Sequence, residues 1–457
     1  MITPRECLSP LLQTPGQVQV VWVRTEKAKM ESSVWRRLNS LSRHLLLQSS
    51  EDNNRVLLPN FARAEQVQDV ESEPVIIGGM VLDIHATPSI PANPRTTTPG
   101  KVHYVTGGVA RNIAECMSKL GTKPFMISAI GLDMAGSLLL EHWKTAGLST
   151  EGIQMHQNIE TPAVCNLFDI NGELAAAVAS VEAIEKFLTE DWIRRFRCNI
   201  CAAPVLMIDA NLNPVSLEAS CQIAAEASIP VWFEPVSVAK SKRVASIAKY
   251  ITFTSPNEDE LFAMANALSC GDRFAPIQRV DNGSSQSIES YFQLLKPAIC
   301  VLLEKGIKLV IVTLGSNGAF LCSGGGPDFI SLGLKNAKPS SLGKLLYGLV
   351  TSSCQNQFFC STGQFERSSH LYAVHFPAPS ASIVRLTGAG DCLVGGTLAS
   401  LCAGLDMMLS VPIGMAAAKA AVETQANVPS EYSMATIADD ARRIYSAAKV
   451  LFDQSIE

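Results

Sequence analysis

Short apolar runs recur along the middle of the chain and alternate with longer stretches in which apolar residues return every three or four positions. The runs at 75–77, 125–130, 205–208, 231–233, 251–253 and 309–312 are too short for helices. They are also too uniformly apolar for strands with one wet face, so they predict strands buried on both sides. The stretches at 110–120, 136–146, 217–227, 258–268 and 288–305 carry the helical period. Strands of that kind alternating with helices predict an α/β fold with a mainly parallel sheet. In such folds ligands bind beyond the C-terminal ends of the strands.

Three regions break the pattern. Segment 82–105 is rich in Pro and Thr, and 161–177 alternates like a strand pair around a turn at Asn171-Gly172. The two predict a small sheet standing off the main one, a lid drawn from about 84–105 and 161–178. Segment 323–370 is Gly- and Ser-rich without clear periodicity and reads as an inserted, partly disordered loop. Residues 1–70 lack the alternation and read as a poorly ordered extension to a main domain at 71–457. Within the extension, 32–48 holds no acid and sets Val34, Leu38, Leu41 and Leu45 on one helical face, with Arg36, Arg37 and Arg43 elsewhere. A basic, amphipathic, Ser-rich stretch of this sort predicts a targeting peptide. Arg37-Leu38, five residues, then His44-Leu45 resembles the N-terminal peroxisomal signal of the second type. A mitochondrial or plastid peptide, or a surface helix of a cytosolic protein, is the alternative. Met30 would place the signal a few residues from a start.

The 457 residues are 47% hydrophobic and 17% charged, which suits a globular chain with a sizeable core. A net charge of −5 and a pI near 5.9 leave no basic footprint for nucleic acid. No apolar run is long enough to predict a membrane span. The 13 cysteines are scattered, and Cys198 and Cys201 lack a second pair to complete a zinc site. They read as thiols of a reducing compartment.

The candidate chemistry lies mostly at predicted strand ends. Gly388-Ala389-Gly390-Asp391 opens a small-residue helix. Its amides would form an anion hole at the helix start, with Asp391 held where it can take a proton from an attacking hydroxyl. An ordinary capped turn is the plainer alternative. Gly107-Gly108 before Asn112 allows close backbone approach, and the Asn112 amide suits a diol or simply a helix start. Asp83 is placed to accept from sugar hydroxyls or to cap a turn. Asn257 and Glu260 lie one turn apart, able to order water around Mg²⁺ or to complement a helix dipole. Thr313, Gly315 and Gly318 join two strands, as a nucleotide border or a plain hairpin.

Together these pieces resemble the ribokinase-like sugar kinases, the PfkB family, over about 75–429. Gly107, Gly108, Ala110, Asn112, Ala114, Gly121 and Gly131 match its first signature. Gly388, Ala389, Gly390, Asp391, Gly395 and Gly396 match its second, and Asn257 to Glu260 matches its NxxE element. The resemblance implies a three-layer α/β/α sandwich with a small β lid, and transfer of the ATP γ-phosphoryl to a hydroxymethyl group of a nucleoside or sugar. It implies Asp391 as general base, with Gly388, Ala389 and Gly390 holding the phosphoryl group. Asp83, Gly107, Gly108 and Asn112 would then lie at the ribose. Thr313, Gly315 and Gly318 would border the nucleotide, the helix near 417–421 would flank the adenine, and Asn257 and Glu260 would organise Mg²⁺ through water. Arg385-Leu386 stands where the family has a small polar or acidic residue and Thr, which puts binding of the family's K⁺ in question.

Within the family the chain is most similar to the pseudouridine kinases of plants. Residues 78–84, Thr161-Pro162-Ala163-Val164, residues 171–177 and Glu234-Pro235-Val236-Ser237 carry that likeness. Glu234 for the usual Asp, and Ser180-Val181 for Asp-Met, depart from it. The likeness implies functional coupling to a pseudouridine monophosphate glycosidase. Pairing of lid sheets between subunits, common in the family, leaves a homodimer open, and a non-catalytic scaffold is the remaining alternative.

Overall fold

The computed structural model describes residues 72–451 apart from 94, 171–173, 270, 276–286, 325–333, 335–336 and 354–370. The targeting segment, the start at Met30 and the turn at Asn171-Gly172 lie outside the described residues.

Every predicted strand and helix of the main body is present, within a few residues of its expected bounds. The chain enters through β1 (Val75–Ile77) and leaves at once into the lid strands β2 (Val81–Pro88) and β3 (Gly100–Gly107). Helix α1 (Val109–Lys119), β4 (Phe125–Gly131), α2 (Met134–Thr145) and β5 (Ile153–His156) follow, then two more lid strands, β6 (Ala163–Phe168) and β7 (Leu174–Ser180). The body resumes with β8 (Leu206–Asp209), α3 (Pro214–Glu226), β9 (Val231–Glu234), β10 (Phe253–Thr254), α4 (Glu258–Ser269), α5 (Ile288–Glu304) and β11 (Leu309–Thr313). It ends with β12 (Ala319–Ser323), α6 (Ser341–Ser353), β13 (Tyr372–Phe376), α7 (Ala389–Cys402), α8 (Met407–Val422), α9 (Met434–Ser446) and β14 (Lys449–Leu451).

Ten strands form one sheet in the order β14-β13-β12-β11-β10-β9-β8-β1-β4-β5. The run from β11 to β5 is parallel, and β12 to β14 close one edge antiparallel. The strands are apolar throughout because both faces are covered. Ile76, Met207, Leu309 and Ile311 enter one core with α1, α7, α8 and α9. Val75, Ile77, Leu206, Ile208, Val310 and Val312 enter the other with α3, α4 and α5. This is the expected three-layer sandwich, and the alternation within each strand assigns residues to layers.

The lid is a second sheet, β3-β2-β6-β7. Paired residues share a face, so Asp83 and His85 look inward to the body. Ile84, Tyr104, Cys165 and Val178 look outward, with Tyr104 58% and Val178 72% exposed.

Segment 323–370 departs from expectation. Ser323 is the last residue of β12, and 341–353 form helix α6 rather than loop. Ser340 caps α6 by accepting from the Gly343 amide at 3.0 Å, and Leu346 and Val350 are buried in the first core. Gly343, Gly348 and the flanking serines lower helix propensity enough to hide the period carried by Leu342, Leu345, Leu346, Leu349 and Val350.

Candidate active site

The C-terminal ends of β1, β8, β9, β10 and β11 open on one side of the sheet, where the lid and the start of α7 also converge. Gly388 caps α7 with φ +85°, and a Cβ there would lie 2.2 Å from the Asn427 carbonyl, so only glycine fits. The Ala389 amide is tied to the Leu386 carbonyl at 3.3 Å. The amides of Gly390 and Asp391 therefore remain as first-turn donors at the positive end of the helix.

Asp391 sits in that first turn, partly open to the mouth. Burial pushes its carboxyl up to about 6, against a hydrogen bond from Asn112 and the positive charge of Arg111. Asn112 Nδ2 donates to Asp391 Oδ2 at 2.6 Å. Its other end, Oδ1, accepts from Arg111. Asn112 thus bridges Asp391 and Arg111, a contact its sequence context did not show.

Asp83, on the inner lid face, accepts from Asn427 Nδ2 at 2.9 Å, and burial raises its pKa. A Cβ at Gly107 would strike the Asp83 carboxylate at 2.3 Å, so the glycine pair brings the backbone against that acid. Asn427, 1% exposed, also donates to the Thr106 carbonyl, while its own Oδ1 has no hydrogen-bond partner among the described residues. Asp83, Gly107, Gly108, Asn112, Gly388 and Asp391 therefore form one connected group.

The second group gathers at β10 and β11. An isolated bridge joins Asn257 to Thr313, the residue that begins the Gly315–Gly318 turn. Asn257 Oδ1 accepts from the Glu260 amide at 2.9 Å, and Glu260 Oε2 accepts from the Asn257 amide at 3.0 Å. This reciprocal cap of α4 leaves one carboxylate oxygen and the amide NH₂ for other partners. Between the groups lies Glu234, buried at the end of β9 and accepting from Ser255 Oγ. Burial, with Glu260, Asp391 and Asp209 nearby, drives its pKa well above the usual range. Asp209, at the end of β8, accepts from the Gly79 and Asn211 amides, and burial raises it too.

A family model for the pfkB family of carbohydrate kinases matches residues 72–331. A pseudouridine kinase of Arabidopsis thaliana is 52% identical over 83% of this chain and 98% of its own length. The chain belongs to the PfkB family. A pseudouridine kinase of Escherichia coli is 29% identical over 41% of this chain and 58% of its own. Among solved structures, Arabidopsis thaliana ribokinase complexed with ribose and ATP shares the fold at a TM-score of 0.56. It is 17% identical and covers 81% of this chain and 98% of its own.

As a PfkB kinase, the chain has a connection between lid and body that its sequence did not reveal. Arg385, the departure upstream of the Gly388–Gly390 turn, donates from Nη1 to His85 Nδ1 at 2.9 Å and from Nη2 to Gln425 Oε1 at 3.4 Å. Burial and the Arg385 charge hold His85 down at about 4, so the imidazole is neutral and its proton is on Nε2. Sequence reading also passed over Arg111, Asp209, Glu234 and Asn427 as site residues. Arg111, Glu115 and Lys119 were visible as an i, i+4 charge ladder, a pattern that usually marks a wet helix face. Asn427 carried no local signal, because its partner Asp83 is 344 positions away.

Proposed function

We propose that this kinase phosphorylates the 5′-hydroxyl of pseudouridine, with ATP as donor. The observation that carries the chemistry is Asp391 in the first turn of α7, hydrogen-bonded to Asn112 and linked through the glycine turn to Asp83. The substrate rests on the 52% identity to the Arabidopsis thaliana pseudouridine kinase, which spans nearly all of that protein.

In this reading Asp83 and the Gly107-Gly108 turn hold the ribose. The 5′-oxygen attacks the γ-phosphorus while Asp391 takes its proton. The bond from phosphorus to the β,γ-bridging oxygen breaks, and ADP departs with the electron pair. The amides at the start of α7 stabilise charge on the transferring group. The turn at Thr313, Gly315 and Gly318 borders the nucleotide. Mg²⁺ would neutralise phosphate charge, and the chemistry fits. Glu260 keeps one carboxylate oxygen outside its reciprocal cap with Asn257, a hard donor suited to water around the ion. No set of three metal-ligating side chains converges among the described residues, which favours holding the ion through water and phosphate, with Asn257 and Glu260 nearby. Arg385 brings its own charge beside the turn, so K⁺ has no role in this reading.

The test is ATP consumption by residues 71–457 offered pseudouridine, uridine, adenosine, ribose or fructose separately. Preference for pseudouridine supports the assignment. Preference for ribose or another sugar keeps the mechanism and removes the substrate. Silence from folded protein on all five favours a substrate outside the panel or a non-catalytic scaffold.

The signal at Arg37-Leu38 to His44-Leu45 supports a peroxisomal site of action. A reporter fused to residues 30–50 that stayed diffuse in the cytosol would remove it. The product, pseudouridine 5′-phosphate, would suit a glycosidase in the same compartment. The exposed outer lid face suits pairing with a second copy, checked by the mass of the protein in solution.

A further inference from the structure

We infer that Arg111 is a positioning residue for the reaction: it fixes the orientation of the Asn112 amide toward Asp391 and places a buried positive charge beside the base. The inference rests on the reading of Asp391 as that base.

Arg111 is 1% exposed, so substrate does not reach it. Its donors are all directed inward. Nε donates to the Gly107 carbonyl at 2.9 Å, and Nη2 to the Thr106 carbonyl at 2.7 Å and to Asn112 Oδ1. Nη1 pairs with Glu115. A guanidinium can only donate, so the end of Asn112 that faces it must be the oxygen. The nitrogen then faces Asp391, where it donates at 2.6 Å. Without the guanidinium the amide is free to turn over and set its oxygen against the carboxylate, which repels it.

The arginine is itself held from both sides. Thr106 and Gly107 end β3, where Gly107 packs against the Asp83 carboxylate. Glu115 is gripped further along α1 by Lys119 at 2.6 Å and by His142 of α2 at 3.2 Å. Burial acts to raise Glu115, yet these partners and Arg111 keep it at about 2, so it stays a carboxylate. The titratable groups facing Asp391 are Arg111 from α1, Asp209 from β8, Asp83 from β2 and Glu234 from β9. Arg111 opposes the three carboxyls. A role in stability accounts poorly for so buried a pair, because desolvation offsets most of what such pairs contribute.

The test compares Arg111→Gln and Arg111→Lys with wild type in the full chain, using two readouts. One is the acid limb of kcat/KM for the nucleoside. The other is the carboxyl titration of Asp391 in ligand-free protein by infrared difference spectroscopy, with Asp391→Asn as blank. Arg111→Gln is expected to move both upward by roughly one pH unit, the size of effect a neighbouring opposite charge produces. Its kcat falls while KM for ATP holds. Arg111→Lys is expected to return the limb most of the way but not kcat, because an ammonium lacks the planar fork that holds Asn112 and two carbonyls together. Folded variants in which limb and titration both stay at the wild-type position overturn the inference and leave a helix ladder. If Arg111→Gln does not fold, the double variant Arg111→Met/Glu115→Gln removes the pair together and is read the same way. A titration that moves while wild type phosphorylates no nucleoside supports the hold on Asp391 and sinks the substrate reading instead.

Discussion

At Asp391, burial and a hydrogen bond act in opposite directions on one carboxyl, and the sum is a pKa of about 6. Below that value the group carries a proton and cannot accept another, so turnover should fall away on the acid side and level off above it. Asn112→Ala removes an effect that lowers the pKa. The acid limb should therefore shift to higher pH, together with a loss of kcat, and a pH–rate series separates this from weaker sugar binding alone. Asp391→Asn keeps shape and relieves a buried charge. It should fold at least as stably as wild type while kcat drops by about 10²–10⁴, the usual contribution of a positioned base. Thermal melting and single-turnover kinetics on one preparation check both halves.

At the scale of elements, two contacts make predictions. The lid strand β2 is joined to the turn before α7 through His85 and Arg385. Arg385→Ala should raise KM for the nucleoside more than KM for ATP, and wild-type turnover should not change when K⁺ is replaced by a bulky organic cation. An initial-rate matrix with both substrates in each salt would show either failure. Helix α6 packs Leu346 at 0% exposure, so Leu346→Ala should cost about 2–5 kcal/mol, measured by urea unfolding. The strands and most helices were legible in the sequence because burial on both faces leaves an unbroken apolar run, as in β1 and β11, and because α1 and α5 keep the helical period. Helix α6 was not, since Gly343 and Gly348 interrupt its composition without preventing its packing. The site followed the same division. Asp391 and Gly388 announce themselves by a local turn. Arg385 and Asn427 matter only through partners on distant strands, which no local pattern reports.

For the molecule as a whole, the crowd of buried acids has a consequence for stability. Glu234 holds a proton in the folded state at pH values where the unfolded chain has released it, because its folded pKa lies well above the usual 4.5. Stability from this group is therefore present at low pH and is lost as pH rises through that window. Glu234→Gln removes the dependence and should melt higher than wild type, by a margin that grows as pH rises above the usual 4.5. A margin independent of pH would show that Glu234 is not the group responsible.

The two hydrogen bonds that unite the site span 279 and 344 positions of sequence. Asp83 and Asn112 emerge early in synthesis, and Asp391 and Asn427 only near its end. By then the growing chain holds the lid and nine of the ten strands of the main sheet without the helices α7 to α9 that cover one face, and apolar surface stays open to wrong partners. Pairings over such separations are slow to form. A ribosome stalled just before α7 therefore carries a protein with most of its mass and without Asp391, and the same region is where helper proteins would have the longest time to act.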